Sequence, residues 1–304
     1  MTEVACIGEC MIELTQGDGN QLIRGFGGDT LNTAVYLARL GVRVDYITAL
    51  GDDPFSDELI AAWQGEGVGT GRVLRIPGKM PGLYAIRTNA VGERSFYYWR
   101  DSAAARAMFD QPESDALLGA LQGYGLIYLS GITLSLFSEE GRDRLITALK
   151  KARENGSRIA FDTNFRARGW PVVDVARHAY QAMLDISDIV LASSEDLMPL
   201  YGERPHAELL NRVVADEAIL KLPEPACVVR SGGRDRTVKA DPVARVVDTT
   251  AAGDSFSAAY LAARLKGLSP TEAAEAGHRL AGAVVAHRGA IMPRTEMPQG
   301  STKA

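Results

Sequence analysis

Arg245-Val-Val-Asp-Thr-Thr-Ala-Ala-Gly-Asp-Ser-Phe256 reads as a short strand (Val246, Val247), a run of small residues, and the start of an alanine-rich helix. A helix opened in this way leaves its first backbone N–H groups without partners and aimed at the preceding loop. Those donors and the helix dipole form an anion site. Ala251, Ala252 and Gly253 carry little or no side chain, so a phosphate can approach the backbone closely. Asp254 falls in the first turn. Asp at a helix start is by itself a capping residue. Beside an anion cradle, however, a carboxylate suits the removal of a hydroxyl proton during phosphoryl transfer.

Outward from this stretch, short β-branched runs alternate with longer amphipathic ones, the pattern of a mostly parallel sheet covered by helices. Strands are expected at Val4–Gly8, Asp45–Leu50, Leu126–Leu129, Arg158–Phe161, Ile189–Leu191 and Ala226–Val229. Helices are expected at Thr30–Leu40, Pro54–Glu66, Glu139–Glu154, Val172–Leu184, Ala207–Leu220, Gly253–Lys266 and Thr271–His287. One region departs from the rhythm. Gly82–Thr88 and Glu93–Arg100 alternate and are aromatic, with Asn89–Gly92 as the turn between them; Glu9–Thr15 and Leu22–Arg24 look similar. These read as a small second sheet, placed to act as a lid.

The 304 residues are 46% hydrophobic and 23% charged, ordinary globular values for one large α/β domain. A net charge of −5 gives no basic footprint for nucleic acid. The N-terminus is too acidic for a signal peptide, and no apolar run is long enough to span a bilayer. Cys6, Cys10 and Cys227 have no metal or disulfide spacing and read as buried small residues, which fits a cytoplasmic location.

Asp248-Thr-Thr-Ala-Ala-Gly-Asp254 resembles the C-terminal signature of the PfkB (ribokinase-like) carbohydrate kinases, and Gly27-Gly-Asp-Thr-Leu-Asn32 resembles their N-terminal glycine-rich signature. Order and spacing fit along nearly the whole chain. Within the family, Gly8-Glu-Cys-Met-Ile-Glu13, Arg24-Gly-Phe-Gly-Gly-Asp-Thr-Leu-Asn32, Pro81-Gly-Leu-Tyr84, Phe96-Tyr-Tyr-Trp-Arg100 and Gly289-Ala-Ile-Met-Pro-Arg294 are similar to the branch acting on 2-keto-3-deoxygluconate. The resemblance implies one α/β domain over 1–304, a ribokinase-like three-layer sandwich with a β-sheet lid from strands within about 9–25 and 82–100.

It further implies Asp254 as catalytic base, with Ala252 and Gly253 as the anion hole. Gly28, Asn32, Tyr84, Tyr98, Arg100 and Arg166 match substrate-binding positions, the arginines suiting a sugar carboxylate. Asn164, Ser193, Arg230, Gly232, Ala251, Gly253 and His278 are expected on the ATP side. Mg2+ is expected through water near Asp196 and Glu195, in a stretch (Ser193-Ser-Glu-Asp196) that departs from the family's Asn-x-x-Glu. The resemblance also leaves room for a monovalent cation and for a homo-oligomer formed through the lid, with no nucleic-acid or membrane partner. Between Val229 and Val247 the chain looks too short for the hairpin that relatives carry. The rival readings are a fructokinase or ribokinase on the same fold, and a non-catalytic sugar-binding protein.

Overall fold

The computed structural model describes residues 3–88 and 94–298. Its strands are β1 (Glu3–Ile7), β2 (Met11–Gln16), β3 (Leu22–Gly27), β4 (Arg43–Leu50), β5 (Val73–Arg75), β6 (Gly82–Thr88), β7 (Arg94–Trp99), β8 (Leu126–Ser130), β9 (Arg158–Asp162), β10 (Ile189–Ser193), β11 (Glu217–Lys221), β12 (Ala226–Ser231) and β13 (Arg234–Lys239). The helices are α1 (Asp29–Arg39), α2 (Pro54–Gly65), α3 (Ser114–Ala120), α4 (Gly131–Leu136), α5 (Glu139–Glu154), α6 (Val173–Leu184), α7 (Ser194–Tyr201), α8 (His206–Leu210), α9 (Ala252–Leu265) and α10 (Pro270–Val284).

A nine-stranded sheet runs in the order β13-β12-β11-β10-β9-β8-β1-β4-β5. Its strands pair in parallel from β11 to β5, while β12 and β13 are antiparallel. Alternation along each strand feeds two cores. Val4, Cys6, Tyr46 and Tyr128 pack under α1, α2, α9 and α10; Ala5, Ile7, Ile127 and Leu129 pack under α3 to α8. Sheets buried on both faces need apolar residues at every position, hence the unbroken runs in β8 to β11. The sandwich is the expected α/β one, and all three cysteines are free and buried.

The second sheet has the order β3-β2-β6-β7 and lies outside the first. The expected Asn89–Gly92 turn lies outside the described residues. No described helix is long and apolar enough to cross a membrane.

Three expectations need correction. The Ala207–Leu220 helix stops at Leu210, and Glu217–Lys221 is instead a central parallel strand. Its short Glu-Ala-Ile-Leu-Lys run is equally compatible with either period; pairing with β10 decides it. Arg245–Asp248 forms no strand, and Val246 and Val247 are exposed. The hairpin that looked lost is present: β12 and β13 pair from Ala226↔Lys239 to Ser231↔Arg234, joined by Gly232 and Gly233, both at positive φ.

Candidate active site

The register aligns the C-terminal ends of the parallel strands along one edge: Ile7 beside Leu129, Ser130 beside Asp162, Ser193 beside Lys221. In open α/β sheets this edge is where ligands bind. Helix α9 begins over it. Ala251 caps α9 in the left-handed region, at φ 61°, with no side-chain cap. The Ala252 N–H donates to the Thr249 carbonyl at 3.2 Å, and the first helical bond runs from Ser255 N to Ala251 O at 2.9 Å. The N–H groups of Gly253 and Asp254 therefore have no acceptor among the described residues. The donor pair sits one residue later than the expected Ala252–Gly253, because Ala252 closes the turn.

Asp254 faces α1. Its Oδ2 accepts from Asn32 Nδ2 at 2.8 Å, and its carbonyl accepts from Thr33 Oγ1 at 3.2 Å. Asn32 Oδ1 is buried without a partner among the described residues, an acceptor left for a ligand. Gly28 caps α1, and a Cβ there would stand 2.2 Å from the Glu9 carbonyl oxygen. Only glycine fits. Burial, and next the neighbouring charge of Asp29, push the Asp254 carboxyl up to about 7; Asn32 pulls the other way, Asp162 adds to the rise, and Lys221 opposes it.

Three charged groups of this site were not foreseen. Lys221 Nζ lies 3.0 Å from Asp162 Oδ2 and 3.6 Å from where a Gly253 Cβ would stand. Asp162 also accepts from Ser257 Oγ at 2.7 Å. Asp29, in the first turn of α1, accepts from Asn164 Nδ2 at 2.7 Å, and Asn164 holds a positive φ of 23° to do so. Asp162 and Asp29 stand inside motifs visible in the sequence, as the last residue of a strand and the first of a helix. Lys221 directly follows the stretch expected as helix, Ala207–Leu220, which gives it no place at a strand end.

In the small sheet, Glu13, Tyr84 and Tyr98 share one row. Tyr84 is buried and donates to Glu13 Oε2, and its ring lies 5.9 Å from that of half-exposed Tyr98. Arg100 is paired with buried Glu9. Arg166 is largely exposed, and its Nη1 reaches Asp196 Oδ1 at 3.3 Å.

Asp196 is buried and also accepts from Thr163 Oγ1 at 2.9 Å, while its N–H donates to Ser193 Oγ, the α7 cap. Glu195 is exposed. Among the described residues no three His, Cys, Asp or Glu side chains are disposed to hold a metal. A divalent cation here would depend on phosphate oxygens and water for most of its ligands.

The nucleotide side needs the largest revision. Because β12 runs against β11, with Glu217 opposite Ser231, the turn at Gly232 and Gly233 lies at the edge of the sheet away from Asp254. Arg230 is held there by Asp235 and by Asn211. Neither Arg230 nor Gly232 is brought to the site. The loop that does lie at the site edge is 222–225, between β11 and β12. His278 is half-buried; its ring packs 5.0 Å from that of Phe256, and its Nε2 lies 3.2 Å from the Val238 carbonyl oxygen. Burial pushes its pKa down.

Residues 1–297 match the model of the pfkB family carbohydrate kinases. The chain is 47% identical to the 2-dehydro-3-deoxygluconokinase of Dickeya dadantii, over 97% of this chain and 98% of that one. It is 42% identical to the Escherichia coli K12 protein of the same name, over 97% and 99%. In fold it is similar to the crystal structure of a 2-dehydro-3-deoxygluconokinase from Thermotoga maritima, with a TM-score of 0.81 at 23% identity, covering 96% of both chains. With the signatures at both ends of one cleft and a family match along the chain, this protein belongs to the pfkB family of carbohydrate kinases.

Proposed function

We propose that this protein transfers the γ-phosphoryl group of ATP to the terminal hydroxyl of 2-keto-3-deoxygluconate (2-dehydro-3-deoxygluconate), with Asp254 as general base. The observation that carries the reading is the half-buried Asp254 carboxylate, aligned by Asn32 and placed beside the two N–H groups that open α9 without an acceptor among the described residues. The names and high identity of the full-length relatives support the choice of sugar. In the step itself the sugar oxygen attacks the γ-phosphorus as its proton passes to Asp254. The bond from that phosphorus to the bridging oxygen breaks, and ADP leaves with the electron pair. The N–H groups of Gly253 and Asp254 receive the charge that builds on the transferring oxygens, and Lys221 lies close enough to add to this. A Mg2+ ion bound with ATP would screen its phosphates, held mainly by their oxygens and by water.

The small sheet acts as the lid over the sugar. Tyr84 and Tyr98 orient oxygens there, and Arg100 and Arg166 supply guanidinium groups for the acid end. Pairing of lids between two copies of the chain gives the oligomer.

Coupled detection of ADP on adding 2-keto-3-deoxygluconate tests the reaction. Asp254→Asn should lower kcat by several orders of magnitude while ATP still binds. Normal turnover in that variant would remove Asp254 from the mechanism. A neutral ketose that competes equally with the acid would return the protein to the fructokinase reading.

A further inference from the structure

Four chain crossings join the lid to the main sheet: from β1 to β2, from β3 to α1, from β5 to β6, and out of β7. All four come together at Glu9. A Cβ on Gly28 would stand 2.2 Å from the Glu9 carbonyl oxygen; one on Gly82 would stand 2.9 Å from Glu9 Oε1 and 3.1 Å from the Arg100 Cβ. Arg100 closes the circle by donating from Nη2 to Glu9 Oε2. The Glu9 side chain is 1% exposed and that of Arg100 20%.

The pair is one bond short of a fork. Glu9 Oε1 and Arg100 Nε are both buried, and neither has a hydrogen-bond partner among the described residues. Arg106 is a second cation that Glu9 feels, and Asp29 is a like charge acting on it. A buried ion pair with unused donors and acceptors is a poor device for stability alone, because desolvation offsets the attraction. It is a good device for direction. With Nη2 held, the guanidinium plane is fixed at the lid root and its remaining N–H groups keep one orientation.

We propose that Glu9 is a positioning residue that sets the preference for acidic sugars: it holds Arg100 so that the guanidinium meets the sugar carboxylate when the lid covers it. This rests on the reading of Arg100 given above. Glu9 partly neutralises Arg100, so what it contributes is geometry, and its loss should appear in sugar recognition more than in the chemical step.

The test is a double-mutant cycle of Glu9→Gln and Arg100→Ala, read as kcat, KM for 2-keto-3-deoxygluconate, KM for ATP and the ratio of kcat/KM between that acid and fructose. Glu9→Gln should raise the KM for the acid about tenfold, the scale of one charge-assisted hydrogen bond, and lower the acid-to-neutral ratio. The kcat and the KM for ATP should stay within about twofold, since neither reports on the carboxylate. Adding Glu9→Gln to Arg100→Ala should have no further effect on the acid. Additive losses, or an unchanged KM in Glu9→Gln, overturn the proposal and leave Glu9 a structural acid. An Arg100→Ala enzyme with normal KM for the acid overturns the reading of Arg100 itself, a different failure. If Glu9→Gln does not fold, Glu9→Asp replaces it: a raised KM at normal kcat that vanishes in the Arg100→Ala background supports the proposal, and a wild-type KM overturns it.

Discussion

Asp254, with a pKa of about 7 against an ordinary 3.8, changes charge within the assay range, and its neighbours decide which way it moves. A base must be ionised, so kcat/KM should rise with pH through about 7 before levelling. Asp29 is the charge that raises this value most, and Lys221 lowers it. Asp29→Asn should therefore move the acidic limb down and Lys221→Met should move it up, each by roughly half a unit to one unit. The pH profile at saturating ATP checks this, and limbs unmoved in both variants would disconnect these groups from the base. For stability the sign is reversed. Because the folded carboxyl holds its proton more tightly than the unfolded one, this group's contribution is complete below about 3.8 and is lost as pH rises through 7. Asp254 and Asn32 were legible because their motifs contain small residues that do little else. Glu9 and Lys221 were not, since a lone charged residue next to a strand has no periodic signature.

At the scale of elements, the open start of α9 depends on one strained residue. Ala251 holds φ at 61°, a region that costs a residue with a Cβ about 1 kcal/mol or more and a β-branched one more still. Ala251→Val should lower stability by about 1–2 kcal/mol and kcat by tenfold or more, by pulling the first turn of α9 off the Gly253 and Asp254 donors. Ala251→Gly should keep both near wild type. Thermal unfolding with steady-state kinetics separates the outcomes, and a fully active Ala251→Val would mean that the turn tolerates another shape. The same helix start was what the sequence displayed best, because Ala-Ala-Gly-Asp has no other economical reading. The strands beyond it were harder. Glu217–Lys221 has five residues and no turn signal before it, so only its pairing with Ile189–Ser193 identifies it as a strand. A helix over Ala207–Leu220 leaves the hairpin that follows no place and puts Arg230 and Gly232 on the wrong edge. Register, which no local pattern contains, corrected both.

For the whole molecule, the small sheet leaves one apolar face to be covered. Register divides its side chains between two faces: Tyr84, Ile86, Phe96 and Tyr98 on one, Leu83, Ala85, Tyr97 and Trp99 on the other. The first face carries buried Tyr84 and Ile86, packed with Met11. On the second, Tyr97 is 51% and Trp99 63% exposed, and Leu22 on the opposite edge strand is 58% exposed. A sheet with apolar residues in water on its far side, bounded by the two edge strands β3 and β7, is built to be covered. A second copy supplies the same surface and satisfies both lids at once, as a two-fold contact requires. The protein should therefore sediment as a dimer at micromolar concentration. Tyr97→Lys with Trp99→Glu should yield a folded monomer, with its circular dichroism unchanged. Its KM for the sugar should be raised, because the lid root at Arg100 directly follows Trp99 in the chain. A wild-type monomer at those concentrations would refute lid pairing.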